Sequence, residues 1–487
     1  MHFNHLLALV AFQSSTLAFR TLSPSYINSS AAYEVSSIEE APSSFIKRVN
    51  KQTVLHSPTK VQLNSGLNLV LSDSNSESYS INITIDSIDY PLLIDTGSPY
   101  LWIYGSNCTD ESCEDKQLYH ALEDESIETF DLAYSSGSAS GIVVQNDLII
   151  AGLEDSKFAF GVADSVPDIF ESYSFSGVLG LPSSDTSSTG MKNLIASLHN
   201  ESVIEESKFS LCLGEYNTST NVANAGLFII GDDAKQLYTG DVYYTDVLDN
   251  DNSYWEIKIE SLYIDGYQAT FDSMKVDGES SKVSRLGVID SGTTSIIASS
   301  ADAVVIHSYF DDAVTDGENF AIFCNSTLTL DFEIGGHNFS LTSDQYIGQA
   351  YSKDSGYYGY CVSNIQGLDS TTDGSWILGA LFLNDRFAVF DYDNAKVGFA
   401  ERNENVILVP APTASATTTS KASNSMSSTA IATKLTSGYT NSTTFTQSSM
   451  TSSQASSSTA SHNAAFKNTH DSLTVGSLLG AVLCLLI

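Results

Sequence analysis

The sequence predicts a mostly β protein of two lobes built on an internal repeat, and three observations carry that prediction. Runs that alternate apolar and polar residues recur through the middle of the chain, among them Ser80-Ile81-Asn82-Ile83-Thr84-Ile85 and Tyr254-Trp255-Glu256-Ile257-Lys258-Ile259, and Gly, Asn and Asp break them. At 487 residues the chain exceeds what one hydrophobic core ordinarily serves, so two large lobes plus extra segments are expected. Third, Pro91-Leu92-Leu93-Ile94-Asp95-Thr96-Gly97-Ser98 is similar to Leu286-Gly287-Val288-Ile289-Asp290-Ser291-Gly292-Thr293.

Each copy of that repeat is an apolar strand ending abruptly at Asp-Ser/Thr-Gly-Ser/Thr. Each is followed by an apolar-apolar-Gly element, Gly177-Val178-Leu179-Gly180-Leu181 after the first and Trp376-Ile377-Leu378-Gly379-Ala380 after the second. Asp95 to Gly180 is 85 residues and Asp290 to Gly379 is 89, so the halves follow one plan and duplication is the economical explanation. A single Asp-Thr-Gly would carry little weight, because aspartate and glycine are common turn formers. Two copies with apolar approach strands and matching downstream glycines carry much more. On this basis residues 49–245 form an N-terminal lobe and 246–405 a C-terminal lobe.

Composition narrows the function. Apolar residues make up 42% and aromatics 10%, a globular profile, while the formal charge is −37. Such acidity repels phosphate backbones and anionic bilayers, which argues against nucleic-acid binding and suggests solubility in acid, cationic substrates or simply a solvated acidic surface.

The termini carry targeting signals. Residues 1–19 place His2 and His5 before the apolar run Leu6 to Phe12 and end in small residues, the pattern of a secretory signal peptide too short to span a bilayer. Residues 20–48 are expected to be a pro-segment ending at Lys47-Arg48, a dibasic pair for a processing protease. From Pro410 the composition turns to Ser, Thr and Ala, so residues 406–463 are expected to be a glycosylated stalk. The chain ends in the apolar run Leu473 to Ile487 with no cations after it, which fits a GPI-attachment signal over 464–487. Asn463 is the preferred attachment residue and Ser461 a rival; a tail-anchored helix is the competing reading, disfavoured by the signal peptide and the short tail. Six Asn-x-Ser/Thr sequons, at Asn82, Asn107, Asn200, Asn217, Asn325 and Asn338, fit a secreted glycoprotein. The expected location is the cell surface, at the plasma membrane or in the wall, with the anchor as the only membrane attachment and the chain a monomer.

Of six cysteines, Cys484 lies in the tail that anchor attachment removes. In an oxidising compartment Cys108 and Cys113 can close a small loop and Cys324 can bridge Cys361. Cys212, in the alternating run Phe209-Ser210-Leu211-Cys212-Leu213, is left as a buried free thiol. No cysteine or histidine spacing suits a metal, so no metal and no cofactor are expected.

The repeat suggests its own chemistry. Glycine after Asp-Ser/Thr lets two loops approach until their carboxylates lie side by side. The hydroxyls of Thr96, Ser98, Ser291 and Thr293 can orient them. Two carboxylates in contact resist double ionisation, so Asp95 and Asp290 share one proton over a wide acid range. The ionised member can then activate a water while the protonated member donates to a carbonyl oxygen.

On these residues the chain resembles the pepsin-family (A1) aspartic proteases over roughly residues 75–402, and in layout fungal GPI-anchored enzymes of the yapsin and secreted aspartyl protease type. The resemblance implies a bilobal pepsin-like fold with pseudo-twofold symmetry, an active-site cleft between the lobes and polypeptide substrates. It also implies that Trp102, in Pro99-Tyr100-Leu101-Trp102-Ile103, supports the site, and that Ala133 to Gly141 forms the flap hairpin with Tyr134 as its tyrosine. The flap has Ser135 where the family usually has glycine, and Ala380 replaces a frequent aspartate. Cys113 to Tyr134 is too short for the long inserted loop of yapsins, which weakens any carry-over of their preference for basic residues. Against this, Asp168 and Glu171 fall in a stretch resembling the wall of the first specificity pocket, where acids would favour Lys or Arg; two solvated acids is the plain alternative. An idle wall or adhesion module and a glycosidase with paired carboxylates are the rival functions; neither accounts for both aspartates standing in matched repeats.

Overall fold

The computed structural model describes residues 78–403 apart from 123–125, 127, 135–136, 185–190, 215, 218–221, 224–225 and 370–373, together with 20–21, 59–62, 66–72 and 406–409. The signal peptide, Lys47-Arg48, the stalk, Asn463 and the anchor signal lie outside the described residues, as does Ser135.

Alternation builds the strands as expected. In Tyr79–Ile85 the side chains of Tyr79, Ile81, Ile83 and Ile85 are buried while Asn82 between them is exposed. The approach strand Ile88–Asp95 differs at its end, where Leu92 through Asp95 are all buried. Neighbours cover both of its faces, so every position must be apolar until the aspartate.

The two halves share one strand arrangement. In the first, Tyr79–Ile85 runs antiparallel to Ile88–Asp95, which pairs in parallel with Gly177–Gly180. Gly177–Gly180 is antiparallel to Leu101–Tyr104, which pairs in parallel with Leu153–Ser165. The second half repeats every step: Glu256–Ile259 antiparallel to Arg285–Ile289, Arg285–Ile289 parallel to Trp376–Leu378, Trp376–Leu378 antiparallel to Ile296–Ala298, and Ile296–Ala298 parallel to Ile365–Gly367. Same order and same polarity make this duplication one of structure as well as motif, within the mostly β fold the alternation predicted.

An antiparallel sheet joins the halves. Its strands run in the order Tyr238–Asp246, Lys396–Arg402, Arg386–Asp391, Lys208–Cys212, Gly226–Ile230 and Leu67–Ser72, and the last of these pairs with Tyr79–Ile85, so the sheet continues into that of the first half. Residues from both sides of position 245 therefore share it. Phe209 stacks on Phe390 with ring centroids 4.5 Å apart, and Trp255 meets both rings edge-on at 6.2 and 5.1 Å. The Trp255 indole N–H donates to Leu181 O at 2.8 Å, tying one half to the other. The helices are short; Leu194–Asn200 starts at Asn193 and Ser300–His307 at Ser299, each capped by that residue's side chain.

Disulfides form at Cys108–Cys113 and Cys324–Cys361, and Cys212 is free and buried. The second bridge lies where Phe320–Phe323 pairs antiparallel with Tyr360–Ser363.

Candidate active site

Each aspartate stands where its approach strand meets a turn, and the two turns meet back to back. A Cβ placed on Gly97 would lie 2.8 Å from Asp290 Cγ, and one placed on Gly292 would lie 2.4 Å from Asp95 Oδ1. Only glycine permits this approach, which brings two carboxyl groups into one buried site. Both aspartates are 0% exposed.

The donors around the carboxylates are also matched. Gly97 N–H donates to Asp95 Oδ1 at 2.8 Å and Gly292 N–H to Asp290 Oδ1 at 2.9 Å. Ser98 Oγ donates to Asp95 Oδ2, and Thr293 Oγ1 donates to Asp290 Oδ2 at 2.5 Å. Ser98 and Thr293 thus orient the carboxyls, as the motif suggested. Thr96 and Ser291 do not. Thr96 Oγ1 donates to Ile289 O at 2.7 Å and accepts from Ser291 N–H at 2.9 Å. Ser291 Oγ mirrors it, donating to Ile94 O at 2.8 Å and accepting from Thr96 N–H at 3.1 Å. This corrects the expectation that all four hydroxyls serve the carboxylates. The second residue of each motif faces across the pseudo-twofold axis, where buried backbone groups of the opposite loop need partners.

Burial is the first cause that raises the protonation range of both acids. Asp95 is held well above the ordinary carboxylate range, with the charge of Asp290 as the next cause; the N–H and hydroxyl donors act against the rise. The two groups titrate as a pair, so neither is assigned a role alone.

Trp102 and Tyr134 come together beside the aspartates. The Trp102 indole N–H donates to Tyr134 Oη at 2.7 Å. Burial and the nearby Asp95 push the phenol well above its ordinary range. Tyr134 ends strand Glu128–Tyr134, which pairs with Gly137–Ile150 in the hairpin expected of the flap.

Asp168 and Glu171 lie exposed on a 3₁₀ turn, Asp168–Ser172, whose buried residue is Phe170. Phe170 is 0% exposed and lies 6.0 Å, centroid to centroid, from both Trp102 and Tyr134. The sequence drew attention to the two acids and missed the aromatic between them. Its signal was available: one apolar ring flanked by acids in a short turn is the residue that faces inward. Lys116, which donates to Phe170 O at 3.2 Å and to Tyr173 O, was also missed.

Comparisons with known proteins agree with this geometry. Residues 78–402 match the family model described as eukaryotic aspartyl protease. The aspartic-type endopeptidase ctsD of Aspergillus fumigatus is 30% identical over 344 residues, 69% of this chain and 66% of that protein. Pepsin A of Bos taurus is 27% identical over 333 residues, 66% of this chain and 82% of its own length. Cathepsin D of Dictyostelium discoideum is 27% identical over 352 residues, covering 69% and 87%. A match running from Ser78 to Arg402, through both lobes and both aspartates, shows that the chain belongs to the eukaryotic aspartyl protease family, the pepsin-like aspartic endopeptidases.

Proposed function

We propose that this chain hydrolyses peptide bonds of proteins at acid pH, outside the cell, through a water activated by Asp95 and Asp290. The observation that carries this is one buried site holding two matched carboxyl groups, both with raised protonation ranges. With one proton on the pair, the ionised carboxylate removes a proton from water as its oxygen attacks the peptide carbonyl carbon. The other carboxyl gives its proton to the carbonyl oxygen. Collapse of the tetrahedral diol then breaks the C–N bond: the leaving nitrogen takes the proton held by one carboxyl while a diol hydroxyl returns its proton to the other carboxylate, giving acid and amine and leaving the pair with one proton again. Full protonation removes the base and full ionisation removes the acid, so activity is bounded on both sides and centred in acid.

The setting is inferred from the sequence. Cleavage after Lys47-Arg48 releases the mature enzyme, and attachment near Asn463 tethers it through the stalk at the plasma membrane or wall. Five sequon asparagines, Asn82, Asn107, Asn200, Asn325 and Asn338, are exposed and open to glycosylation. A preference for Lys or Arg substrates rests on Asp168 and Glu171, both solvent-facing on the turn whose Phe170 packs behind the flap tyrosine.

The test is digestion of a peptide library by the chain from residue 49 onward, read by mass spectrometry from acid to neutral pH. Cleavage confined to acid, blocked by pepstatin and lost in Asp290→Asn, is expected, with enrichment of basic residues at the cut site. An intact library at every pH would overturn the endopeptidase reading. Cleavage indifferent to basic residues would overturn the preference alone.

A further inference from the structure

We propose that Lys116 is a positioning residue: from beside the loop closed by Cys108–Cys113 it holds the turn 167–173 that backs the flap, and so sets how the flap closes on a peptide. The inference rests on the endopeptidase reading above.

One loop fastens one turn through several contacts. Lys116 Nζ donates to Phe170 O at 3.2 Å and to Tyr173 O. Ser112 Oγ donates to Pro167 O at 3.0 Å. Asp110 Oδ2 accepts from Val166 N–H at 3.0 Å and from Ser165 Oγ at 3.1 Å. Phe170 O already accepts the turn's own Tyr173 N–H at 3.2 Å, and the ammonium adds a charged donor beside it, where a cation suits the negative end of the turn. Burial lowers the ammonium's protonation range while Asp115 and Glu171 oppose that fall, as expected of a partly desolvated lysine among acids.

The far side of the same turn touches the flap at two points. Phe170 meets the Tyr134 ring edge-on at 73° and 6.0 Å. Gly137, which opens the return strand of the hairpin, lies so close that a Cβ there would be 3.1 Å from Pro167 Cβ. Tyr134 is therefore held by Trp102 through a hydrogen bond and by Phe170 through ring contact. An ordinary exposed lysine contributes little. Lys116 differs because both of its acceptors belong to the turn that packs against Tyr134 and Gly137, the last pair of the flap hairpin, and a charge-assisted bond in a partly buried place is among the stronger ones.

Lys116→Met keeps the apolar stem and removes the donors; Lys116→Arg keeps donors. On a peptide that the wild type cleaves, Lys116→Met is expected to lower kcat/KM about tenfold, the usual worth of a charge-assisted hydrogen bond. The loss should fall in KM and in pepstatin affinity, leave both limbs of the pH profile in place, and be largely restored by Lys116→Arg. A purely structural lysine would lower thermal stability without that KM-selective loss. Wild-type kinetics in Lys116→Met, a loss confined to kcat with displaced pH limbs, or no recovery in Lys116→Arg would overturn the proposal. Should Lys116→Met fail to fold, Ser112→Ala, which removes only the donation to Pro167, must show the KM-selective loss; unchanged KM there overturns it equally. Absence of cleavage by the wild type would instead refute the endopeptidase reading.

Discussion

Replacing Thr96 by valine tests whether the crossed hydroxyls hold the two halves of the site together. Valine matches threonine in shape, so packing is nearly preserved and the change is the loss of Oγ1. That atom serves Ile289 O at 2.7 Å and Ser291 N–H at 2.9 Å, and Thr96 is 0% exposed. Two buried backbone groups lose their partner at once. Each unsatisfied group costs about 1–3 kcal/mol, so a destabilisation of about 2–6 kcal/mol is expected, a large fraction of the roughly 5–15 kcal/mol that stabilises a domain. Thr96→Ser keeps the hydroxyl and should cost about 1 kcal/mol for its lost methyl group. Because Asp95 and Asp290 immediately precede the crossed pair, kcat should fall about 100-fold, as for a small misplacement of reacting groups. The assay is urea unfolding of the three proteins beside their kcat on one peptide. Ser291→Ala should behave as the mirror image, and the double variant should cost less than the two singles together, because each opens the same junction. Loss of less than about 0.5 kcal/mol in Thr96→Val, or equal damage in Thr96→Ser, would refute the reasoning.

Three further predictions follow from other parts of the molecule. Gly292→Ala puts a methyl group 2.4 Å from Asp95 Oδ1 and should cost at least about 100-fold in kcat, whereas Gly356→Ala, with nothing within 4 Å of the new carbon, should match wild type in the same assay. His307 is 0% exposed, its Nδ1 2.8 Å from Ala303 O and its Nε2 2.8 Å from Ser363 Oγ, and burial pushes it down to about 4. A folded pKa below the unfolded value means stability is fully present above about pH 6.5 and lost as pH falls to about 4, by about 3 kcal/mol. Urea unfolding against pH should show this slope in wild type and a shallower one in His307→Gln; parallel slopes would contradict it. The raised carboxyls of the dyad have the opposite sign, adding stability at acid pH that is lost as pH rises. Finally, Asp302 accepts from Arg285 Nε at 2.6 Å and from the Trp376 indole at 2.9 Å, with side-chain exposures of 3% for Arg285 and 6% for Asp302. Asp302→Ala strands a buried guanidinium on the strand that leads to Asp290 and should cost about 3–5 kcal/mol in unfolding free energy.

The sequence made the paired loops legible because their constraints are local. Gly97 and Gly292 are required by contact with the opposite carboxylate. Gly180 and Gly379 recur because each passes against backbone, where a Cβ would lie 2.4 Å from Tyr100 O and 2.2 Å from Ser295 O. A residue that cannot be anything else leaves a trace in each copy. The direction of a hydroxyl leaves none, so Thr96 and Ser291 could not be told from Ser98 and Thr293 by type or spacing. Long-range pairing was hidden too. Lys208–Cys212 lies beside Arg386–Asp391, and neither strand's alternation names the other as its partner. The contact of Lys116 with Phe170 spans 54 residues and joins a lysine among acids to a carbonyl, which no side-chain pattern encodes.

Proton sharing between Asp95 and Asp290 is the core of the mechanism, and one measurement addresses it: the pH dependence of kcat/KM on a single peptide for wild type, Asp95→Asn and Asp290→Asn. A bell centred in acid is predicted for wild type, with both variants folded and each reduced by about 10³-fold or more at every pH, since an amide in either place removes the shared proton. Substantial activity in either variant, or a wild-type profile that rises steadily to neutral pH, would contradict it.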